Sequence, residues 1–381
     1  MKYIDEFRDG RLAREIGAAI HREMAPGRQY NLMEFCGGHT HAISRYGIED
    51  LLPAPVRMIH GPGCPVCVLP IGRLQMAIDL AVEREVILCS YGDMLRVPAW
   101  QGDSLLKARS RGADVRMIYS VNDALALARR HPDRQVVFFA IGFETTTPPT
   151  AVAILQAARE GLRNFSVFCN HVLTPAAMRA ILESAELQSG VVRLDGFVGP
   201  AHVSTVIGSR PYEFVASDYH RPVVIAGFEP LDVMQSILML IRQVNAGRCE
   251  VENEFIRAVN REGNLKAQRL TNEVLELRDR FEWRGLGPVP DSALKIRERF
   301  ADLDAERRFE LQERIIPDHK ACECADILRG VKHPRDCKVF GSACTPDSPL
   351  GSCMVSSEGA CAAHYLYGRF REVRRETEGA A

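Results

Sequence analysis

The sequence predicts an α/β protein with two Rossmann-like parallel-sheet lobes and a mostly helical third region. Short apolar runs alternate with amphipathic segments over the middle of the chain, which is typical of parallel sheets covered by helices. Beyond Gly227 the strand signal fades while helical periodicity continues. A chain of 381 residues that is 46% hydrophobic is also long enough for two or three cores.

Seven runs between about Val56 and Gly227 predict the strands. They are mostly apolar along their whole length, as strands are when a sheet buries both of their faces. The runs are VRMIH, EVILCS, DVRMIY, QVVFFAIGF, FSVFC, LDGFVG and PVVIAGF.

The segments between and after these runs predict helices. TAVAILQAAREGL and PAAMRAILESAEL follow Thr-Pro punctuation and repeat apolar residues about every 3.6 positions, which suits crossover helices. Further on, PLDVMQSILMLIRQVNAG and ENEFIRAVNREGNLKAQRLTNEVLELRDRFEW predict long amphipathic helices.

The same pattern predicts the division into domains. Seven strands suffice for one sheet or for two small ones, and we favour two lobes divided at the basic stretch ARRHPDR, residues 128–134. The predicted domains are an N-terminal segment at 1–33, α/β domains at 34–132 and 133–230, and a helical domain at 231–381.

One short motif occurs twice, because AIGFETTTP and IAGFEPLD each place Gly-Phe-Glu at the end of an apolar run. Ligands of open α/β sheets bind at the carboxyl ends of strands. Glu144 and Glu229 are therefore candidates for polar roles in a cleft, although a match of three residues also arises by chance.

Composition excludes several kinds of partner and compartment. The 48 Lys and Arg residues nearly balance the 49 Asp and Glu residues, so no overall field attracts nucleic acid or anionic membranes. The first residues are charged and lack the apolar stretch of a secretory signal, which predicts a cytoplasmic protein. Cytoplasmic thiols stay reduced, so the 12 cysteines point to metal binding or catalysis rather than structural disulfides.

Half of these cysteines crowd the last 60 residues, in polar, turn-rich surroundings that do not suit a hydrophobic core. Four thiolates hold either zinc or a [4Fe–4S] cluster, and the absence of paired C-x2-C knuckles favours the cluster. Spacing does not settle which four of the six are ligands. One choice takes Cys322, Cys337, Cys344 and Cys361 as the ligands, with the spacing C-x14-C-x6-C-x16-C. This choice leaves Cys324 and Cys353 as a second pair, which is either redox-active or inert.

Two further thiol motifs lie near the N-terminus. Cys64 and Cys67 form a C-x-x-C after a predicted strand, which favours a dithiol–disulfide pair over half of a zinc site. Cys36 precedes His39 and His41 in EFCGGHTHAI, a thiolate–imidazole group that suits a soft metal ion or an activated nucleophile.

The other cysteines and two more histidines have weaker signals. Cys89 and Cys169 lie inside apolar runs and Cys249 near a helix end, so we interpret all three as structural. His171 and His202 are at possible strand ends, where they would line a cleft. The sequence contains no phosphate-binding loop, dinucleotide-binding turn, nucleophile elbow or zinc-protease motif.

Several long motifs together resemble the HypD family of [NiFe]-hydrogenase maturation factors. They are MEFCGGHTHAI, GPGCPVCV, GFETTTP, the C-x14-C-x6-C-x16-C frame and CMVSSEGACAA. The resemblance runs nearly end to end and implies two α/β lobes plus an iron–sulfur domain built from both chain ends. It also implies a scaffold, acting with a HypC chaperone, on which iron receives cyanide and CO ligands as an Fe(CN)2CO unit, the cyanide coming from HypE and HypF.

By motif match, the resemblance implies that Cys36 is the iron ligand, Cys64 and Cys67 a redox pair, and the four framed cysteines the cluster ligands. The remaining pair, Cys324 and Cys353, is similar to the redox-active arrangement of ferredoxin:thioredoxin reductase. Two functions follow: a redox-active metal-assembly scaffold, or a cluster-dependent thiol–disulfide reductase. A reductase has no need of the group of Cys36 and His41, so its presence favours the scaffold over a conventional turnover enzyme.

Overall fold

The computed structural model describes residues 5–368, which form two parallel-sheet lobes joined to a region of short helices. Its strands are β1 (Tyr30–Glu34), β2 (Val56–His60), β3 (Ile87–Ser90), β4 (Val115–Met117), β5 (Val136–Gly142), β6 (Phe165–His171), β7 (Gly196–Pro200), β8 (Val223–Ala226), β9 (Val251–Asn253), β10 (Leu275–Trp283) and β11 (Gly287–Ile296).

The longer helices cover the sheets, and the short ones connect strands or build the C-terminal region. They are α1 (Gly10–Glu23), α2 (Gly37–Tyr46), α3 (Pro65–Val68), α4 (Ile71–Glu83), α5 (Leu105–Ser110), α6 (Val121–Arg130), α7 (Thr147–Glu160), α8 (Thr174–Leu182), α9 (Ala185–Gln188), α10 (Ala201–Ile207), α11 (Glu213–Ser217), α12 (Pro230–Asn245), α13 (Leu265–Val274), α14 (Ala305–Arg308), α15 (Cys324–Leu328) and α16 (Ala360–Ala363). Single helical turns of the 3-10 type add Asp5–Arg8, Ile48–Leu51, Gly92–Arg96, Trp100–Gly102, Arg210–Tyr212, Glu298–Leu303, Pro334–Asp336 and Ser352–Met354, and a π-helical turn spans His364–Gly368.

Both sheets are parallel throughout, which confirms the predicted fold class. The first lobe has the strand order β2-β1-β7-β8-β9, and the second lobe has the order β4-β3-β5-β6. All seven predicted strands are present, and β5 and β6 are buried at every residue. A separate antiparallel ribbon, β10 with β11, connects the second lobe to the C-terminal region.

The predicted boundary between residues 132 and 133 was wrong, because strands on both sides of it share the second sheet. The chain starts in the first lobe with β1 and β2, builds the whole second sheet, and returns to the first lobe with β7 to β9. The basic stretch at 128–134 is only the end of α6 and the turn into β5. Strand pairing is non-local, so a local run of charge did not reveal this path.

Two other predictions need correction within the described residues. The segment 252–283, which was predicted to be one helix, instead contains the end of β9, the helix α13 and the strand β10. The predicted helical domain at 231–381 is also not a separate unit, because its first helix, α12, covers the first sheet. The N-terminal helix α1 packs on α12. Ion pairing of Glu23 with Arg242, 2.9 Å between Oε1 and Nε, supports that contact. No helix of the described residues is long and apolar enough to cross a membrane.

Candidate functional site

Cys36 lies at the carboxyl edge of the first sheet, in the turn between β1 and α2. The backbone amides of Gly38 and His39, in the first turn of α2, act to lower the pKa of its thiol. Burial raises the pKa of the Cys36 thiol, and the nearby carboxylates of Glu358 and Glu34 raise it further. The free thiol is therefore protonated at neutral pH, and a metal ion that binds it has to replace that proton.

His39 is the buried imidazole of the group predicted around Cys36. Its Nε2 lies 3.0 Å from the carbonyl oxygens of Ala226 and Gly227, which accept its proton, and its ring packs on Phe228 with centroids 4.8 Å apart. Burial lowers the pKa of His39, so the ring is neutral. Its Nδ1 is buried and has no hydrogen-bond partner in residues 5–368. One basic nitrogen therefore remains unused beside the Cys36 turn.

His41 faces the C-terminal part of the chain instead. Its Nδ1 is 3.3 Å from the carbonyl oxygen of Ser357, and its ring meets the edge of Tyr367 with centroids 5.3 Å apart. The part predicted for His41, in a thiolate–imidazole group with Cys36, stays a prediction.

Sequence reasoning missed Glu34 and His60, which lie opposite each other at the carboxyl ends of β1 and β2. Glu34 is fully buried and accepts hydrogen bonds from the Cys36 amide, the Thr40 hydroxyl and His60 Nδ1. Burial lowers the pKa of His60, but its hydrogen bond to Glu34 and the charges of Glu34 and Glu49 together outweigh burial and leave the pKa raised. The available signal was that each is the polar last residue of its strand, directly after an apolar pair, Leu-Met in β1 and Met-Ile in β2.

The C-x-x-C motif lies directly against the Cys36 turn. The Gly37 amide donates to the Gly63 carbonyl at 3.1 Å, and any side chain at Gly63 would overlap the Cys36 backbone. Cys64 and Cys67, both buried, form a disulfide at the start of α3. The structure thus brings the two predicted N-terminal thiol motifs together.

A C-terminal segment, residues 351–361, joins these motifs to the cysteine-rich region. The Ser352 hydroxyl donates to the Cys67 carbonyl at 2.9 Å, beside Cys353. Glu358 lies so close to Gly37 that a Cβ there would overlap its side chain, and Gly359 packs in the same way against the Cys353 backbone. Cys353 is therefore next to the turn that carries the disulfide.

The C-terminal thiols lie close to one another. Cys322 and Cys361 both interact with the Cys324 thiol, and Cys353 adds to the electrostatic field at Cys361. These thiols and their burial raise the pKa values of Cys322 and Cys361. Cys324 therefore lies among the predicted cluster ligands and is not set apart with Cys353.

The two remaining predicted ligands lie in the adjoining loop. Cys344 accepts a hydrogen bond from the Leu350 amide, 3.3 Å from nitrogen to sulfur, and Cys337 contacts the carboxylate of Glu323. No three His, Cys, Asp or Glu side chains of residues 5–368 are arranged to hold a single metal ion.

The two Gly-Phe-Glu motifs follow β5 and β8, as predicted, but their glutamates differ. Glu144 is buried beside a cavity of ≈ 630 Å³ between the lobes, where the amide and hydroxyl of Thr174 donate to it at 2.9 and 3.0 Å. Burial raises the pKa of Glu144 to about 7. Glu229 instead caps α12 and pairs with Arg8.

The other predicted residues separate into buried and exposed groups. His171 is fully buried in the second lobe, where its Nε2 is 2.9 Å from the Thr150 hydroxyl, so it lines no cleft. His202 is exposed and stacks on Phe228 with centroids 4.0 Å apart. The remaining three are Cys89 and Cys169, buried in β3 and β6, and Cys249, in the turn before β9.

A family model for HypD, described as "Hydrogenase formation hypA family", matches residues 11–368. The chain belongs to the HypD family. It is 66% identical to the hydrogenase maturation factor HypD of Cupriavidus necator over 98% of this chain and 99% of the relative. It is 68% identical to that of Azotobacter vinelandii, over 98% of each chain, and 44% identical to that of Escherichia coli, over 96% of this chain and 98% of the relative.

Membership of the HypD family assigns the chain a role in hydrogenase maturation. The features of the candidate site lie close together. Two thiol motifs and an unused imidazole nitrogen meet at one sheet edge, and a segment from the cysteine-rich region packs against both motifs.

Proposed function

We propose that the protein is the redox-active scaffold on which the Fe(CN)2CO unit of [NiFe]-hydrogenase is assembled. The observation that carries this proposal is the meeting of Cys36, the Cys64–Cys67 disulfide and residues 351–361 at one sheet edge. Soft thiolate and imidazole groups suit iron, and the orphaned Nδ1 of His39 leaves a basic nitrogen on a residue three positions after Cys36. In this proposal iron is cargo and Cys36 is its thiolate ligand.

The residues at this site have separate tasks in the proposal. The amides of Gly38 and His39 stabilise negative charge on the Cys36 sulfur, which favours the thiolate once a cation is present. The Cys64–Cys67 disulfide accepts two electrons and two protons and becomes a dithiol. Glu144 and His41 are candidates for holding protons at the cleft, because Glu144 has a pKa of about 7 and His41 contacts the C-terminal segment.

The donor chemistry of the C-terminal cysteines fits a [4Fe–4S] cluster. Thiolates are the usual ligands of such clusters, and six thiols lie in this region, five of them buried. Burial and mutual contact now keep Cys322 and Cys361 protonated, and bound iron would favour their thiolates. Bound there, the cluster would supply electrons singly. The proposed ligands are Cys322, Cys337, Cys344 and Cys361.

The proposed partners follow from the same scheme. A HypC-type chaperone would share the iron, and HypE, loaded by HypF, would deliver cyanide. Such partners would approach the site at its exposed side, which is formed by His202 and by Glu358 beside Cys36. The proposal places this work in the cytoplasm and involves neither nucleic acid nor a membrane.

Replacing Cys36 by serine tests the scaffold function. Serine supplies a poorly ionised hydroxyl in place of a soft thiolate, so we expect iron retention to be lost while the fold remains. The measurement is the infrared absorption of iron-bound cyanide and CO in the anaerobic complex with HypC. Cys89→Ser is the control, since Cys89 is buried in β3 away from this edge and its variant should keep the bands. Bands of full intensity from Cys36→Ser would show that iron is held elsewhere.

A second function, a cluster-dependent thiol–disulfide reductase, is favoured by the contact between Ser352, beside Cys353, and Cys67. Such an enzyme would need Cys64, Cys67 and the C-terminal thiols but not Cys36. Reduction of a test protein disulfide by the reduced chain distinguishes the two functions. Catalytic turnover that survives Cys36→Ser and disappears in Cys67→Ser would favour the reductase.

A further inference from the structure

Glu34 is a charged side chain without exposed surface, two residues before Cys36. Its Oε2 accepts the Cys36 amide at 2.9 Å, and its Oε1 accepts the Thr40 hydroxyl and His60 Nδ1, the latter at 3.0 Å. These donors come from the Cys36 turn, from α2 and from the neighbouring strand β2. One carboxylate thus ties together three elements that surround the thiol.

A buried carboxylate is costly unless it is paired and hydrogen-bonded, so such a group indicates a specific requirement. Here Glu34 accepts the hydrogen bond of the Cys36 backbone nitrogen, and Gly63 packs against the same stretch of backbone. Thr40 belongs to the helical turn whose amides, those of Gly38 and His39, face the Cys36 sulfur. The direction of the Cα–Cβ bond of Cys36 is therefore set by Glu34 and its partners.

We propose that Glu34 is a positioning residue for the iron held by Cys36, an inference that rests on the proposed function. Glu34 holds the Cys36 backbone and the first turn of α2 in one arrangement, so the sulfur presents itself to iron without rearrangement of the loop. Preorganisation of this kind preserves affinity, because the ordering is complete before the metal binds.

Two substitutions separate the hydrogen bonds of Glu34 from its charge. Glu34→Met keeps the approximate side-chain length and removes both acceptor oxygens, leaving the donors of Cys36, Thr40 and His60 unpaired. Glu34→Gln keeps one oxygen for the Cys36 amide, while its NH2 group donates to the Thr40 hydroxyl and to neutral His60. Methionine therefore removes the positioning, and glutamine removes only the charge.

The measurements use the full chain, with and without iron. In the anaerobic complex with HypC, Glu34→Met should lower the intensity of the cyanide and CO bands about tenfold, the effect of a buried donor left unpaired. Glu34→Gln should keep the intensity but shift the bands, because a charge near the iron ligand is lost. Without iron, hydrogen–deuterium exchange of the amides at 36–40 should be faster in Glu34→Met and close to wild type in Glu34→Gln.

Asp304→Asn is the matched control, since Asp304 is a buried carboxylate that caps α14 in the second lobe. It should change neither the bands nor the exchange at 36–40. Glu34→Met with full bands and unchanged exchange overturns the role of Glu34, provided that Cys36→Ser loses the bands. If Cys36→Ser keeps them, the proposed function fails first. Should Glu34→Met not fold, Thr40→Val and His60→Leu each remove one partner, and unchanged bands in both would also overturn the proposal.

Discussion

Replacing Glu306 by glutamine is expected to destabilise the fold by roughly 3 kcal/mol at neutral pH. Glu306, on α14, is the acceptor of a buried ion network that joins four elements. Its carboxylate pairs with Arg73 from α4 and with Arg278 from β10, the latter at 2.7 and 3.1 Å. Arg73 also donates to Asn170 and Cys169 on β6 and stacks on Phe168.

The magnitude follows from the pKa of Glu306. Burial opposes its ionisation, but Arg73 and Arg278 outweigh burial and lower the pKa from 4.5 to about 2. At 1.36 kcal/mol per pKa unit, this difference corresponds to about 3.4 kcal/mol of stability at pH 7. Because the folded pKa is the lower one, the contribution is complete above pH 4.5 and is lost as the pH falls towards 2. At pH 3.5 about 2 kcal/mol of it remains.

Urea unfolding of the wild type and Glu306→Gln at pH 7 and pH 3.5 measures both values. Tryptophan fluorescence is a suitable probe, since Trp283 is fully buried on β10, the strand of Arg278. Glu160→Gln is the control, because Glu160 pairs with Arg129 on the surface and should contribute less than about 1 kcal/mol. A loss below about 1 kcal/mol for Glu306→Gln at pH 7, or a loss that grows at pH 3.5, would refute this reasoning.

Two further predictions concern Glu144 and the cysteine-rich region. The pKa of Glu144 in the folded state is raised from 4.5 to about 7, so its ionisation opposes folding as the pH rises through this window. Glu144→Gln should therefore stabilise the chain by roughly 2 to 3 kcal/mol more at pH 8 than at pH 5. Urea unfolding at the two pH values measures this difference. An equal effect at both pH values would contradict it. A Cβ at Gly351 would overlap the sulfur atoms of Cys322 and Cys324, so Gly351→Ala should lower the iron and sulfide bound per chain after anaerobic reconstitution. The control is Gly10→Ala, where a Cβ would make only an ordinary contact, 3.7 Å from Nη1 of Arg14. Equal iron and sulfide contents in the two variants would count against the prediction.

Most of the strands that sequence analysis identified are buried at nearly every residue, the exception being the edge strand β4. Their apolar composition is a local signal that needs no knowledge of their partners. β1, with the sequence YNLME, was missed because Asn31 and Glu34 interrupt that signal, although Glu34 is buried. The carboxylate oxygens of Glu34 accept hydrogen bonds from residues that fold beside the strand, and the pattern of residues along the sequence does not show these partners.

β10 illustrates a different error. LELRDRFEW carries charged residues at intervals that fit an exposed helical face as well as an exposed strand face, so its periodicity was ambiguous. Pairing with β11 decides the outcome, and β11 itself contains two prolines that weaken any strand signal. Tertiary pairing thus overrides local helical preference along β10, whereas α13, directly before it, forms as predicted.

The candidate site follows from the same missed strand. β1 and β2 are parallel neighbours, and each is followed at once by a thiol motif, Cys36 after β1 and Cys64 after β2. Parallel neighbours deliver such turns to the same sheet edge, so recognising β1 would have predicted that the two motifs meet. The third participant, the segment at 351–361, had no comparable signal. It packs against the Cys36 turn because Gly37 leaves no side chain in the path of Glu358, and only the folded structure shows what this glycine faces.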